Sequence, residues 1–166
     1  TYNSFATNSL TSSNANYMVT GGTVSAAITP ASLTYNANAT SNIYGNTIPT
    51  LNGTVTGFVG GETQGTATTG TLAFNTSATN TSNVGSYAIN GSGLTANNGN
   101  YTFGQASGNA TALTITQRPL NLSGSRVYDA TTGFVAGQLT AGNIVNGDVV
   151  NLGGSATVSS LSLIHI

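Results

Sequence analysis

Apolar and polar residues in this chain follow a period of two far more often than a helical one. Leu113-Thr114-Ile115-Thr116 and Leu120-Asn121-Leu122-Ser123 alternate strictly, the pattern of a strand with one buried face. Tyr87-Ala88-Ile89, Tyr101-Thr102-Phe103 and the Leu72/Phe74 pair within Gly70–Phe74 set large residues two apart, on one side of a strand. No stretch of a dozen residues carries an apolar stripe at helical spacing, and glycines and β-branched residues interrupt every candidate helix. Asn52-Gly53, Asn90-Gly91, Asn98-Gly99 and Asn146-Gly147 punctuate these runs. Asn and Gly tolerate the positive φ of tight turns, so each pair predicts a turn. Short strands separated by turn signals every 8–12 residues or so predict an all-β antiparallel sandwich.

A partial repeat organises the pattern. Ser9-Leu10-Thr11-Ser12-Ser13-Asn14-Ala15-Asn16-Tyr17 returns 84 residues later as Gly93-Leu94-Thr95-Ala96-Asn97-Asn98-Gly99-Asn100-Tyr101. Ala27-Ile28-Thr29-Pro30 is echoed by Leu113-Thr114-Ile115-Thr116 with a three-residue insertion. Spacing of this size predicts tandem modules. The expected division is residues 1–30 as the last strands of one module, 31–118 as a complete module of six or seven strands, and 119–160 as the opening of the next. Both ends of the chain are then cut inside a module. The junction falls at Thr116-Gln117-Arg118-Pro119, where Pro stiffens the link. The rival architecture, a right-handed parallel β-helix, would repeat near 20 residues.

Composition narrows the function. Charged residues make up 3% of the chain, and Arg118, Arg126, Glu62, Asp129 and Asp148 are all of them. Two arginines close together cannot neutralise a run of phosphates, so nucleic acid is not an expected partner. With 38% hydrophobic residues and a net charge of −1, the chain is unlike charged disordered segments. It has no cysteine, so no disulfide staples it. No run approaches the 18 or so apolar residues of a membrane span, and no membrane insertion is expected of it.

Each candidate chemistry meets a plainer reading. Glycoside hydrolysis needs paired carboxylates and a hydrolytic triad needs a histidine. The 31–118 module contains Glu62 as its one acid and no His, Cys or Lys. No catalytic, cofactor-binding or metal-binding residue is expected. Calcium would need several carboxylates, whereas Asp129 and Asp148 sit in Tyr-Asp-Ala-Thr-Thr and Asn-Gly-Asp contexts where Asp caps its own turn. Asn-x-Ser/Thr sequons at Asn38, Asn52, Asn75, Asn80, Asn90, Asn100, Asn109 and Asn121 leave glycosylation open. Tyr35, Tyr44, Phe58, Phe74, Tyr87, Tyr101 and Phe103 are read as core and not as a sugar-stacking platform, with Tyr87 and Tyr101 keeping their hydroxyls at a rim. The Thr-rich run from Thr63 to Thr71 is irregularly spaced and reads as an exposed strand or loop, not as a flat surface-binding face.

Several of these stretches together resemble a known family. Ile43-Tyr44-Gly45-Asn46, Gly57-Phe58-Val59-Gly60-Gly61-Glu62-Thr63, Ser82-Asn83-Val84-Gly85-Ser86-Tyr87-Ala88-Ile89, Asn100-Tyr101-Thr102-Phe103 and Leu113–Thr116 make residues 31–118 similar to the bacterial immunoglobulin-like MBG domain. Gly124-Ser125-Arg126-Val127-Tyr128-Asp129-Ala130-Thr131-Thr132 and Val145-Asn146-Gly147-Asp148 make residues 119–160 similar to its YDG-type companion, with Ala130 in place of the usual Gly. Residues 1–30 resemble the end of another MBG-type module. The resemblance implies tandem immunoglobulin-like sandwiches, a non-enzymatic stalk or spacer in a secreted or outer-surface exoprotein of Gram-negative bacteria, akin to filamentous haemagglutinin. The implied partners are neighbouring modules of the same chain. A carbohydrate- or host-surface-binding module is the alternative. Leu161-Ser162-Leu163-Ile164-His165-Ile166 departs from the pattern and reads as a non-native tail, so His165 is not taken as a ligand.

Overall fold

The computed structural model describes residues 11–19 and 27–159. The proposed tail with His165, and the opening Ser9-Leu10 of the repeat, lie outside them. Eight strands form residues 31–116: β1 (Ala31–Ala37), β2 (Thr40–Ile43), β3 (Gly53–Thr56), β4 (Thr68–Asn75), β5 (Gly85–Tyr87), β6 (Asn90–Ala96), β7 (Tyr101–Gln105) and β8 (Leu113–Thr116). A one-turn helix, α1 (Gln64–Ala67), precedes β4. The strands make three small sheets, ordered β3-β1-β7, β2-β8-β5 and β4-β6. The all-β architecture is the one that the alternation predicts.

The pairing is mixed where a purely antiparallel sandwich was expected. β1 runs parallel to β7, with Ala31 opposite Tyr101, and β2 runs parallel to β8, with Thr40 opposite Leu113. The remaining ladders of this region are antiparallel. Parallel pairing needs a long crossover between partners, and here everything from β2 to β6 lies between β1 and β7. The return arm is three residues longer than the β1–β2 arm, and the 3₁₀ segment Ser107–Thr111 takes up the difference. Partners so distant in sequence are not the adjacent rungs of a β-helix.

One core collects side chains from all three sheets: Tyr35, Phe74, Leu94, Leu113 and Ile115, with Ile89 from the β5–β6 link. Tyr35 stacks on Phe103 at 5.3 Å and meets Phe74 edge-on at 6.4 Å. A smaller core joins Leu33, Ala67 and Tyr101. Burying each large apolar side chain stabilises the fold by about 1.5–3 kcal/mol. The expected core rings are inside: Tyr35, Phe74 and Tyr101 are buried, and Tyr44, Phe58, Tyr87 and Phe103 are half-buried.

Two of the four Asn-Gly pairs are turns with both φ values positive, Asn98-Gly99 between β6 and β7 and Asn146-Gly147. The others are not. Asn90-Gly91 opens β6, and Gly91 is buried where a Cβ would lie 2.5 Å from the Tyr35 ring. Glycine is there to let the backbone approach an aromatic. Gly53 likewise begins β3 beneath Phe74. The Thr63–Thr71 run is also more ordered than expected. The Thr66 hydroxyl accepts from the Thr63 N–H at 2.9 Å, the Thr68 hydroxyl donates to the Gln64 carbonyl at 2.7 Å, and the run passes from α1 into β4.

Residues 121–157 add β9 (Asn121–Gly124), β10 (Gly133–Val135), β11 (Leu139–Gly142) and β12 (Ser155–Thr157). They pair antiparallel as β9–β11 and β10–β12. None of the residues 119–159 is buried.

Candidate functional site

An open groove of about 930 Å³ lies where the chain enters β1. Ile28, Thr29 and Pro30 form one wall, the Val59–Glu62 loop another, and the Asn98–Tyr101 turn the third. The loop is shaped by Gly60 and Gly61, both at positive φ, which aims Glu62 back at β7. There the Tyr101 phenol donates to the Glu62 carboxylate and accepts from the Val59 N–H at 3.1 Å. Phe58 packs edge-on against the Tyr101 ring at 6.0 Å. The carboxylate that accepts its proton holds the Tyr101 phenol above its ordinary pKa, and burial acts in the same direction. The Val59 N–H opposes both. As the alternation implies, the ring is buried and the hydroxyl stands at a rim.

The groove offers one carboxylate and the amides of Asn98 and Asn100. That is a hydrogen-bonding surface, with neither the second carboxylate nor the imidazole that hydrolysis requires. The other acids lie elsewhere. Asp129 accepts from the Thr131 N–H at 2.9 Å and from its hydroxyl at 2.8 Å, and pairs with Arg126. This is the turn-capping role expected of it. Arg126 first, then the two Thr131 donors, hold its carboxyl well below the usual carboxylate range. Arg126 also lies 5.2 Å from the centre of the Phe134 ring. Asp148 lines a cavity of about 300 Å³ beside Arg118, Tyr44 and Val145. Among the described residues no three His, Cys, Asp or Glu side chains group as a metal site would need.

Sequence reasoning passed over Asn109 except as a sequon. It is 2% exposed. Its Oδ1 accepts from the Ala37 N–H at 2.8 Å, and its Nδ2 donates to the Tyr35 carbonyl and to Gln105 Oε1, each at 2.9 Å. Gln105 in turn bonds both the N–H and the C=O of Gly91. The two amides tie β1, β6 and β7 together, and the Asn109 sequon is sealed within the fold. The surrounding pattern gives no sign of this, because the partners are backbone groups distant in sequence.

Among the described residues no helix is long and apolar enough to cross a membrane. No curated protein and no solved structure matches the chain. A family model does match, over residues 33–111, and it is that of the MBG domain (YGX type). The match spans just under half of the chain, and it makes residues 33–111 similar to a repeat module of the bacterial surface-protein type.

Proposed function

We propose that the chain is a run of stalk or spacer modules from a large secreted or surface-exposed bacterial exoprotein of the adhesin type, related to filamentous haemagglutinin. Residues 31–118 are the complete MBG-type module, 1–30 the end of a preceding one, and 119–160 the opening of a YDG-type module. The modules work outside the cell by extending other parts of the parent protein, and they are not enzymatic. The observation that carries this reading is where the rings go. Every aromatic of the 31–118 module that was a candidate for a sugar platform is buried or half-buried. Thermal unfolding of residues 31–118 alone, followed by far-UV circular dichroism, tests it. A single cooperative transition from a β-type spectrum supports an independent module. A spectrum of a disordered chain overturns it.

A second reading, binding of carbohydrate or host surface, draws on the groove around Glu62, Asn98 and Asn100. A glycan array probed with the whole chain separates the two. Binding that Glu62→Gln abolishes would favour the adhesive reading, and the absence of binding favours the spacer.

A further inference from the structure

We infer that Tyr44-Gly45-Asn46 is the socket of a fixed joint that seats the segment following β8. The inference rests on the stalk reading for its use, but on contacts for its existence. All three residues take part. The Tyr44 carbonyl accepts from Arg118 Nε at 2.9 Å, and Asn46 Oδ1 accepts from Arg118 Nη2. One of the chain's two arginines is thus fastened at the last residue before Pro119, half-buried in a chain that is otherwise almost without charge.

Gly45 supplies the seat. It adopts φ +85°, and a Cβ there would fall 2.3 Å from Val145 Cγ2. Only a residue without a side chain lets Val145 come so near, and glycine is also the residue suited to that φ. Polar ties frame the contact. The Asn80 carbonyl accepts from the Gly45 N–H at 3.1 Å and from the Asn146 amide at 3.4 Å, so one oxygen bridges the socket and the loop that enters it. The Asn143 amide donates to the Pro119 carbonyl at 2.7 Å, while its Oδ1 accepts from the Asn121 N–H at 2.8 Å. The linker and the 143–146 loop are therefore held to each other as well as to the module. Val84, Leu120, Ile144 and Val150 line the same small cavity beside the ring of Tyr44.

A linker residue bonded at both ends of its guanidinium, a side chain seated on a glycine and a shared carbonyl together fix direction. A flexible link would need none of them. The partner that this surface fits is a module of the same chain that presents a branched apolar side chain ahead of an Asn-Gly turn, as Val145-Asn146-Gly147 does.

The test is a distance distribution between two spin labels in the whole chain. The chain has no cysteine, so Thr95→Cys and Thr140→Cys, both at exposed strand positions, place one label on each side of the joint. A single narrow distribution is expected, broadening in Val145→Asp and, to a lesser degree, in Asn46→Ala. Val135→Asp puts the same charge at an exposed strand position and should leave it narrow. Asn46→Ala lies outside the 119–159 strands, so broadening there is not a folding failure of those strands. A broad distribution in the parent, or an unchanged one in both socket variants, overturns the joint. If the joint fails while residues 31–118 still unfold cooperatively, the stalk reading stands without it.

Discussion

Asn109 and Tyr101 show how a chain with so few charges anchors its backbone. Replacing Asn109 with Ala leaves the Ala37 N–H without its partner and the Tyr35 carbonyl with the Ala106 N–H alone. A buried polar group left unpaired costs about 1–3 kcal/mol, so Asn109→Ala should lose about 1–3 kcal/mol in denaturant unfolding. That is a large share of the 5–15 kcal/mol or so that a domain usually has. Tyr101 gives a pH signature. Its folded pKa is raised, so the contribution of the Tyr101–Glu62 bond is complete below the ordinary tyrosine pKa near 10 and is lost as pH rises through the folded value. The melting temperature of the parent should fall more steeply above about pH 10 than that of Tyr101→Phe, which has no proton to lose at this position. Parallel slopes would show that the bond does not couple to folding.

At the scale of elements, the legible and illegible parts separate by cause. Alternation made β4, β7 and β8 legible by their buried faces, whereas Leu120-Asn121-Leu122-Ser123 alternates as strictly and lies exposed on both faces in and before β9. Alternation carries no information about which strand lies alongside, so the parallel β1–β7 and β2–β8 ladders were hidden. Gly91 was misread as a turn because the glycine that admits an aromatic looks the same as the glycine that admits a positive φ. Of the site, Glu62 was visible as the module's one acid, but its partner Tyr101 lies 39 residues on and only folding brings them together. The turn after β9 was legible, because Asp caps nearby backbone through local bonds. That turn makes a prediction. Arg126 is engaged by Asp129 and Thr131, and the Arg118 bond leads into Pro119, which has no N–H and a fixed φ. Trypsin should therefore cut slowly and after Arg126. Asp129→Asn should speed that cut, whereas a primary cut at Arg118 would contradict the structure.

Over the whole molecule, stability is unevenly spread. The β1–β8 region has two buried clusters. The 119–159 region has Phe134, Leu139 and Ala156 only half-buried, with Leu122, Val127 and Val149 exposed. Ordering a backbone costs roughly 1–2 kcal/mol per residue, and partial burial of a few side chains does not offset that for forty or so residues. β9–β12 must therefore draw on contacts outside themselves, and the described contacts of that kind run through Arg118 and Val145 into the Tyr44–Asn46 loop and through Asn146 to the Asn80 carbonyl. Local opening is read by amide hydrogen exchange. Exchange should be faster in β9–β12 than in β1, β7 and β8, and Arg118→Ala should speed it further in β9–β12 while leaving the Leu33 and Ile115 amides slow. Equal acceleration in both regions would mean that Arg118 supports the β1–β8 core. No acceleration in either would mean that the second region holds itself together, and the energetic role assigned to the joint would fall with it.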